Sequence, residues 1–153
     1  MEFLLFLLNN CKYGISLAYV ERVIRMVKVT SLPLAPDIVS GIIDLHGTVI
    51  PVYDPRVRFN LPKKSFSAFD SLIIANNGEN IVGLAVEKIE GVVSLNQSIE
   101  KVDTSISGTN AIEGVVRIDS GLVVIYDLSL FITPIEAEEV KKVITDWKVK
   151  NQV

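Results

Sequence analysis

The chain has 153 residues, a formal net charge of -3 and 49% hydrophobic side chains, so we expect it to bury a core rather than stay disordered. Its single cysteine, Cys11, and single histidine, His46, exclude an internal disulfide and a zinc cluster of Cys and His ligands. Lysine and arginine form no basic block, so nucleic acid is not an expected partner. This cysteine usage agrees with a reducing, cytoplasmic location.

The first apolar run covers residues 3–8 and is closed by Asn9 and Asn10. A signal peptide requires a basic start and about 7–15 apolar residues, and a membrane-spanning helix requires about 20. The run therefore predicts a buried strand, followed by a turn because Asn accepts left-handed backbone angles. Direct insertion into a membrane is not expected.

Residues 17–25 follow, with Val20, Val23 and Ile24 at a spacing typical of one helix face. This spacing predicts one or two turns of helix. We interpret Val20, Ile24 and Met26 as core residues, with an exposed apolar groove as the alternative.

The segment GIIDLHGTVIPVYD, residues 41–54, has two apolar runs around His46 and Gly47, a pattern typical of a β-hairpin. A catalytic imidazole needs a nucleophile and an orienting carboxylate. Asp44 is two residues away, but no nucleophile elbow is present. Asp54 and Asp127 each precede a short helix-like segment and are interpreted as its N-cap. We therefore interpret His46 as an exposed turn residue.

The second half of the chain resembles the first half. Residues 82–93 align with residues 13–24, and residues 114–127 align with residues 41–54, each without gaps. The aligned pairs include Gly14 with Gly83, Glu21 with Glu90, Gly41 with Gly114, His46 with Asp119, Gly47 with Ser120 and Asp54 with Asp127. These matches in the same order favour an internal duplication.

The two copies are predicted at residues 2–60 and 70–132, with residues 65–70 as a linker. Each copy contains about five short apolar runs separated by turn residues, which indicates an all-β fold. A barrel of about 60 residues is marginally stable alone. We therefore expect two small barrels that share a hydrophobic core. The sequence leaves open whether the barrels exchange strands.

The C-terminal tail has the pattern of an amphipathic helix over residues 134–147. Pro134 suits the first helical position, and Val140, Val143, Ile144 and Trp147 recur at three- and four-residue spacing. We expect this helix to pack on the barrels and to bury Trp147.

Positive signs of catalysis are absent from the sequence. It contains neither a dinucleotide-binding glycine motif nor a P-loop, and no Cys or His near Cys11 would activate its thiol. The sequence predicts no enzyme activity, no cofactor and no metal site. A small-ligand-binding or catalytic β-barrel stays open as an alternative, and a deep polar pocket would favour it.

The ordered set of motifs closely resembles the CheW-like domain family. The most specific motif is P-x-x-x-x-G-[IV]-[IV]-[ND]-L-R-G-x-[VI]-[IV]-P-[VI]-x-D, which corresponds to residues 36–54. The similarity covers about residues 2–132. It implies a single domain over residues 1–153 with two interleaved, five-stranded SH3-like β-barrels around a common hydrophobic core, together with short helices and the C-terminal helix.

The resemblance also implies a non-enzymatic adaptor in chemotaxis signal transduction. Such a protein couples the cytoplasmic tips of chemoreceptors to a CheA-type histidine kinase, in the cytoplasm and recruited to receptor arrays at the membrane. A pilus-motility or other chemosensory pathway stays open. The residues that match the family's partner-binding positions are Val20, Arg22, Gly41, Asp44, Leu45, His46, Gly47, Leu72 and Gly83. The resemblance brings Val20, Leu72 and Gly83 toward one face, a groove between the barrels, and Gly83→Asp is expected to weaken receptor binding there.

Two departures from the family pattern matter, at His46 and Arg22, and Asp44 is the less usual of the two residues that the motif accepts. His46 replaces the usual arginine, Asp44 replaces asparagine, and Arg22 occupies a position that is acidic in well-known members. Arginine always carries a charge and binds two acceptors, whereas histidine is largely neutral at pH 7. We expect the departures to affect contacts with partners and not the fold.

Overall fold

The computed structural model describes residues 1–96, 111–119 and 121–152. Within them, ten strands form two five-stranded sheets. The strands are β1 (Glu2–Leu8), β2 (Cys11–Ser16), β3 (Val20–Arg25), β4 (Val39–Leu45), β5 (Thr48–Tyr53), β6 (Ser71–Asn76), β7 (Ile81–Val86), β8 (Lys88–Ser94), β9 (Ile112–Ile118) and β10 (Gly121–Tyr126). The helical segments are a 3-10 turn (Leu17–Tyr19), α1 (Pro55–Arg58), α2 (Leu128–Phe131) and α3 (Pro134–Asn151).

Each sheet combines a hairpin from one half of the chain with three strands from the other half. The first sheet has the order β8-β1-β2-β10-β9, and the second sheet has the order β3-β6-β7-β5-β4. In both sheets a parallel pair joins the hairpin to the other strands, through β2 and β10 in the first and through β7 and β5 in the second. The all-β fold class with two five-stranded units is confirmed, and the strands are exchanged between the units.

Residues that align in the two halves occupy matching places in the two sheets. In the first sheet Gly14 lies between Leu5 and Ile125 of the neighbouring strands. In the second sheet Gly83 lies between Ile74 and Val52 in the same way. The duplication stays an inference, and this shared register supports it. Of the predicted second hairpin turn, Ser120 lies outside the described residues.

A common core joins the sheets. One cluster of buried side chains takes Phe6 and Ile15 from the first sheet and Ile73 and Leu84 from the second. Each sheet also has a smaller cluster on its other face, around Val123 in the first sheet and around Leu72, Ile74 and Val52 in the second. Strands buried on both faces explain the continuous apolar runs in the sequence.

The predicted helix over residues 17–25 is wrong beyond its first turn. Only Leu17–Tyr19 is helical, with the amide of Ala18 donating to Ser16 Oγ at 3.3 Å. From Val20 onward the chain forms β3, which pairs with β6. β-branched residues suit a pleated surface, and ladder hydrogen bonds to β6 outweigh the weak helical pattern.

The C-terminal helix α3 forms as predicted and extends to Asn151. Thr133 and Glu136 make a reciprocal capping box at its start, and Arg58 of α1 forms an ion pair with Glu136. Val140 is the buried centre of its inner face, whereas Trp147 is only half-buried. The prediction that Trp147 is buried was therefore too strong.

Candidate docking site for partner proteins

The tip of the β4–β5 hairpin is an exposed and tightly defined turn. Leu45 pairs with Thr48, which leaves His46 and Gly47 as a two-residue loop with φ angles of 52° and 86°. Positive φ at both central residues is typical of a type I′ turn, which matches the twist of the strands. The amide of Gly47 also donates to Asp44 Oδ1 at 2.8 Å. The carboxylate of Asp44 therefore supports the turn, and the imidazole of His46 points to solvent.

Gly41 acts on the path of the backbone and not on a partner directly. A Cβ atom at this position would lie 2.2 Å from the carbonyl oxygen of Thr30. Thr30 and Ile42 exchange two backbone hydrogen bonds of 2.8 Å, so the chain before β4 lies directly against it. Only glycine permits this close approach.

Val20 and Arg22 lie on β3, an outer strand of the second sheet. The side chain of Val20 is half-buried and packs against the common core, and Arg22 is exposed. A bulge lies between the two residues. Outer strands offer unpaired backbone groups that other proteins can bind.

Leu72 and Gly83 do not line an exposed groove with Val20, contrary to the sequence-based expectation. Leu72 is 0% exposed, and a Cβ at Gly83 would meet Leu72, Val52 and Ile74 at ordinary distances of 3.7–3.8 Å. Leu72 belongs to the second sheet's own cluster and Gly83 lies against it, whereas Val20 packs against the common core on the opposite face. The two faces differ because successive strand residues point to opposite sides of a sheet.

The sequence did not reveal a cluster of charged side chains that begins directly after β5. The guanidinium of Arg56 is 2% exposed, 3.0 Å from Glu87 Oε1 and 3.6 Å from Asp54 Oδ1. Glu87 Oε1 also accepts a hydrogen bond of 3.0 Å from the amide of Asn9. The cluster connects the end of β5 in the second sheet to the β1–β2 turn of the first. In the sequence Arg56 could not be distinguished from Arg58, because both follow the Asp54 cap.

The two carboxyl groups of this cluster respond differently to burial. Burial raises the pKa of Asp54, and the hydrogen bonds and charge of Arg56 offset only part of that rise. Burial also acts to raise the pKa of Glu87, but the bonds from Asn9 and Arg56 and the nearby positive charges prevail and lower it. Arg56 therefore stabilises charge within the scaffold, a structural role.

The described residues offer no arrangement of reacting groups around His46. Among them, no three His, Cys, Asp or Glu side chains could hold a metal ion together. The carboxylate of Asp44, the nearest candidate to orient an imidazole, instead accepts the amide of Gly47. An open cleft of about 550 Å³, lined in part by Asp54, Lys63 and Lys64, is a feature that would suit the alternative of a small ligand.

The described part of the chain also lacks any helix with the length and apolar character that crossing a bilayer demands. Two β-sheets that exchange hairpins, an exposed hairpin tip and an outer strand are features of a scaffold that can dock other proteins.

Residues 2–136 match the CheW-like domain, and the chain belongs to this family. Members of the family are adaptors in chemotaxis and not enzymes, and the chain is therefore a chemotaxis adaptor. The alternative of a small-ligand-binding or catalytic β-barrel is not favoured.

Similar proteins agree with this assignment along most of the chain. The chemotaxis protein CheW of Bacillus subtilis is 30% identical over 133 residues, 82% of this chain and 83% of the relative. The chemotaxis protein CheW of Klebsiella aerogenes is 34% identical over 94 residues, 61% of this chain and 57% of the relative. The crystal structure of the scaffolding protein TtCheW from Thermoanaerobacter tengcongensis has a TM-score of 0.77 at 27% identity, over 86% of this chain and 87% of the other.

Proposed function

We propose that this chain couples the cytoplasmic tips of chemoreceptors to a CheA-type histidine kinase, and that it is recruited to receptor arrays at the membrane. The observation that carries the proposal is the exposed hairpin tip from Asp44 to Gly47, held by a type I′ turn in a chain of the CheW-like family. A docking surface that is already rigid loses little conformational entropy on binding.

The tip and the outer strand supply different contacts. His46 presents an imidazole, which donates or accepts hydrogen bonds but lacks the fork of an arginine. On β3, Arg22 presents a permanent positive charge beside the half-buried Val20. Partners of this protein would therefore place a hydrogen-bonding group opposite His46 and an acidic or polar group opposite Arg22.

Reconstitution tests the coupling role. The full chain is mixed with a purified cytoplasmic receptor fragment and the kinase from the same source, and co-sedimentation and kinase autophosphorylation are measured. We expect the kinase to sediment with the receptor only when the chain is present, with autophosphorylation changed by the receptor. Kinase and receptor that assemble equally well without the chain would contradict the proposal.

The side chain at position 46 tests whether the tip touches a partner. His46→Arg restores the usual family residue, and we expect weaker binding to the native receptor or kinase, because we infer that the partners have adapted to His46 and Arg22. The matched control is His46→Asn, since Asn followed by Gly suits a type I′ turn. Calorimetry measures both affinities, and thermal unfolding checks that the turn is intact.

Tighter binding in His46→Arg would refute adaptation. If neither substitution changes the affinity for either partner, His46 is not part of the docking surface, although co-sedimentation still tests coupling by the whole chain.

A further inference from the structure

The turn over residues 67–70 holds a phenylalanine in solvent. The side chain of Phe69 is 92% exposed, yet its backbone is well fixed. The amide of Phe69 donates to Ser67 Oγ at 3.1 Å, and the amide of Ser67 donates to Asp70 Oδ2 at 2.8 Å. Asp70 is itself buried, and its carbonyl oxygen accepts the amide of Met26 at 3.0 Å. A large apolar side chain on an anchored turn is suited to insert into another surface.

The same chain has an apolar cleft of a matching size. The cleft measures about 130 Å³ and lies between Leu32, Pro33 and Leu34 on one side and Val143 and Trp147 of α3 on the other. An apolar cavity of about 150 Å³ in another protein is known to bind benzene. The cleft can therefore accept much of a phenyl ring.

One wall of the cleft is held in a strained conformation. Leu34 has a φ of 68° and is 94% exposed. The left-handed region is unfavourable for a residue with a branched side chain, and strained residues concentrate at sites that hold ligands. Burial of Leu34 against an inserted ring would offset this cost.

Charged side chains lie beside both features. Arg25 is exposed and pairs with Ser71, directly after the turn that carries Phe69. Asp146 and Lys150 are exposed and both contribute to the lining of the cleft. If Phe69 of one copy enters the cleft of another, the orientation that brings Arg25 to Asp146 and keeps it away from Lys150 is favoured electrostatically.

The two features also belong to neighbouring stretches of the chain. Residues 35–37, which follow Leu34, and residues 63–66, which precede the Phe69 turn, line one and the same cleft. A two-fold axis can therefore place each Phe69 in the partner's cleft at once, which is the arrangement of an isologous dimer.

We infer that a second copy of this chain binds here, with Phe69 of each copy inserted between Leu34 and Trp147 of the other. This surface is separate from the β4–β5 tip, and it adjoins the outer strand β3 only at its last residue, Arg25. Two inserted rings make a small interface, so dimerisation is expected in the micromolar to millimolar range.

Analytical ultracentrifugation of the full chain over a wide concentration range tests the dimer without receptor or kinase. We expect a monomer–dimer equilibrium for the wild type, and a dissociation constant at least about tenfold higher for Phe69→Ser and for Leu34→Gly. Val149→Ser is the matched control, because Val149 is an exposed apolar residue of α3 that does not line the cleft; it should dimerise like the wild type.

Leu34→Gly separates binding from folding. Glycine adopts positive φ freely, so this substitution should keep or raise the melting temperature while it weakens the dimer. An equal mixture of Phe69→Ser and Leu34→Gly retains one intact Phe69 and one intact cleft, and it should associate more than either variant alone.

Three results would overturn the inference. The first is a wild type that stays monomeric at its highest soluble concentration. The second is a Phe69→Ser variant that dimerises like the wild type. The third is a monomeric wild type whose binding to receptor or kinase is lost in Phe69→Ser, because the ring would then belong to a contact with that partner.

Discussion

Gly41 shows how one residue fixes the course of the chain at the docking site. Its missing side chain lets the carbonyl of Thr30 approach β4, and an added Cβ would lie only 2.2 Å from that oxygen. We expect Gly41→Ala to destabilise the fold by about 1–3 kcal/mol, the usual cost of forcing atoms into a packed region. Chemical denaturation measures the change.

Gly83→Ala is the matched control for Gly41→Ala. Its added methyl group would meet neighbours at 3.7 Å or more, and its φ is not among the positive angles. Such a replacement commonly stabilises a protein by about 0.4–1 kcal/mol. Equal losses at both positions would contradict the role assigned to the Thr30 contact.

A charged substitution at Gly83 would not report on receptor binding. Gly83→Asp was expected from the sequence to weaken a contact in an exposed groove. In the structure, the new carboxylate would enter a buried apolar cluster without a partner, and such burial is costly for the fold. Loss of binding in that variant would follow from unfolding.

Several residue roles were predictable because local chemistry determines them. Asp54 and Asp127 accept amides of the short helices that follow them, at 3.0 Å in both cases, as their N-cap interpretation predicted. Asn9 and Asn10 have positive φ, as Asn tolerates. One partner of Arg56, Glu87, lies 31 residues away in sequence, and no local pattern could identify it.

At the level of elements, α3 should contribute stability chiefly through Val140. This residue is 3% exposed and packs in the common core. We expect Val140→Ala to cost about 1–3 kcal/mol from lost apolar contact and the cavity left behind. Truncation after Thr133 should cost more, because Arg58 also loses its ion pair with Glu136. Thermal and denaturant unfolding measure both changes.

The control for the helix is Val149→Ala. Val149 lies on the same helix and is 76% exposed, so its truncation should change the free energy of unfolding by less than about 0.5 kcal/mol. An unchanged melting temperature after truncation at Thr133 would show that α3 does not stabilise the sheets.

The elements also show where sequence patterns were sufficient. The tail contains a proline start, a Thr-x-x-Glu box and apolar residues at helical spacing, and these agree on one structure. Residues 20–25 contain too few residues to separate a period of 3.6 from a period of 2. Pairing with β6 makes these residues a strand, and β6 lies about 50 residues further along the chain, beyond the reach of a local pattern.

At the level of the whole molecule, buried tyrosines make the fold sensitive to alkaline pH. Burial raises the pKa of Tyr53 from 10.0 to about 12, with the charge of Glu136 adding to the rise and that of Arg58 opposing it. Burial likewise raises the pKa of Tyr13 and of Tyr126. In the unfolded chain these side chains ionise at lower pH, so unfolding becomes more favourable as the pH rises above 10.

Tyr53→Phe tests this linkage. The stabilising contribution of the neutral Tyr53 is fully present below pH 10 and is lost as the pH rises through about 12, with a total of roughly 2–3 kcal/mol. The variant should lose less stability than the wild type across that interval. Denaturant unfolding at a series of alkaline pH values provides the measurement, and identical pH profiles would contradict it.

The overall architecture was more predictable than the site. Apolar runs, turn residues and the internal similarity indicated two five-stranded units with a common core, because each run needs a partner strand within a small molecule. The face on which a residue lies depends on register, which a single residue shifts. That is why Val20, Leu72 and Gly83 were expected on one surface although the structure places Val20 on the opposite face from the other two.

Because the two sheets exchange hairpins, they are completed at different times during synthesis of the chain. All strands of the second sheet have been synthesised once Val86 is added, whereas the first sheet is complete only when Tyr126 has followed. The β1–β2 hairpin is synthesised long before its neighbouring strands, β8 and β10. The apolar residues of β1 are therefore exposed until these strands follow. Until then β1 lacks part of its packing, and such unpaired strands are prone to aggregate.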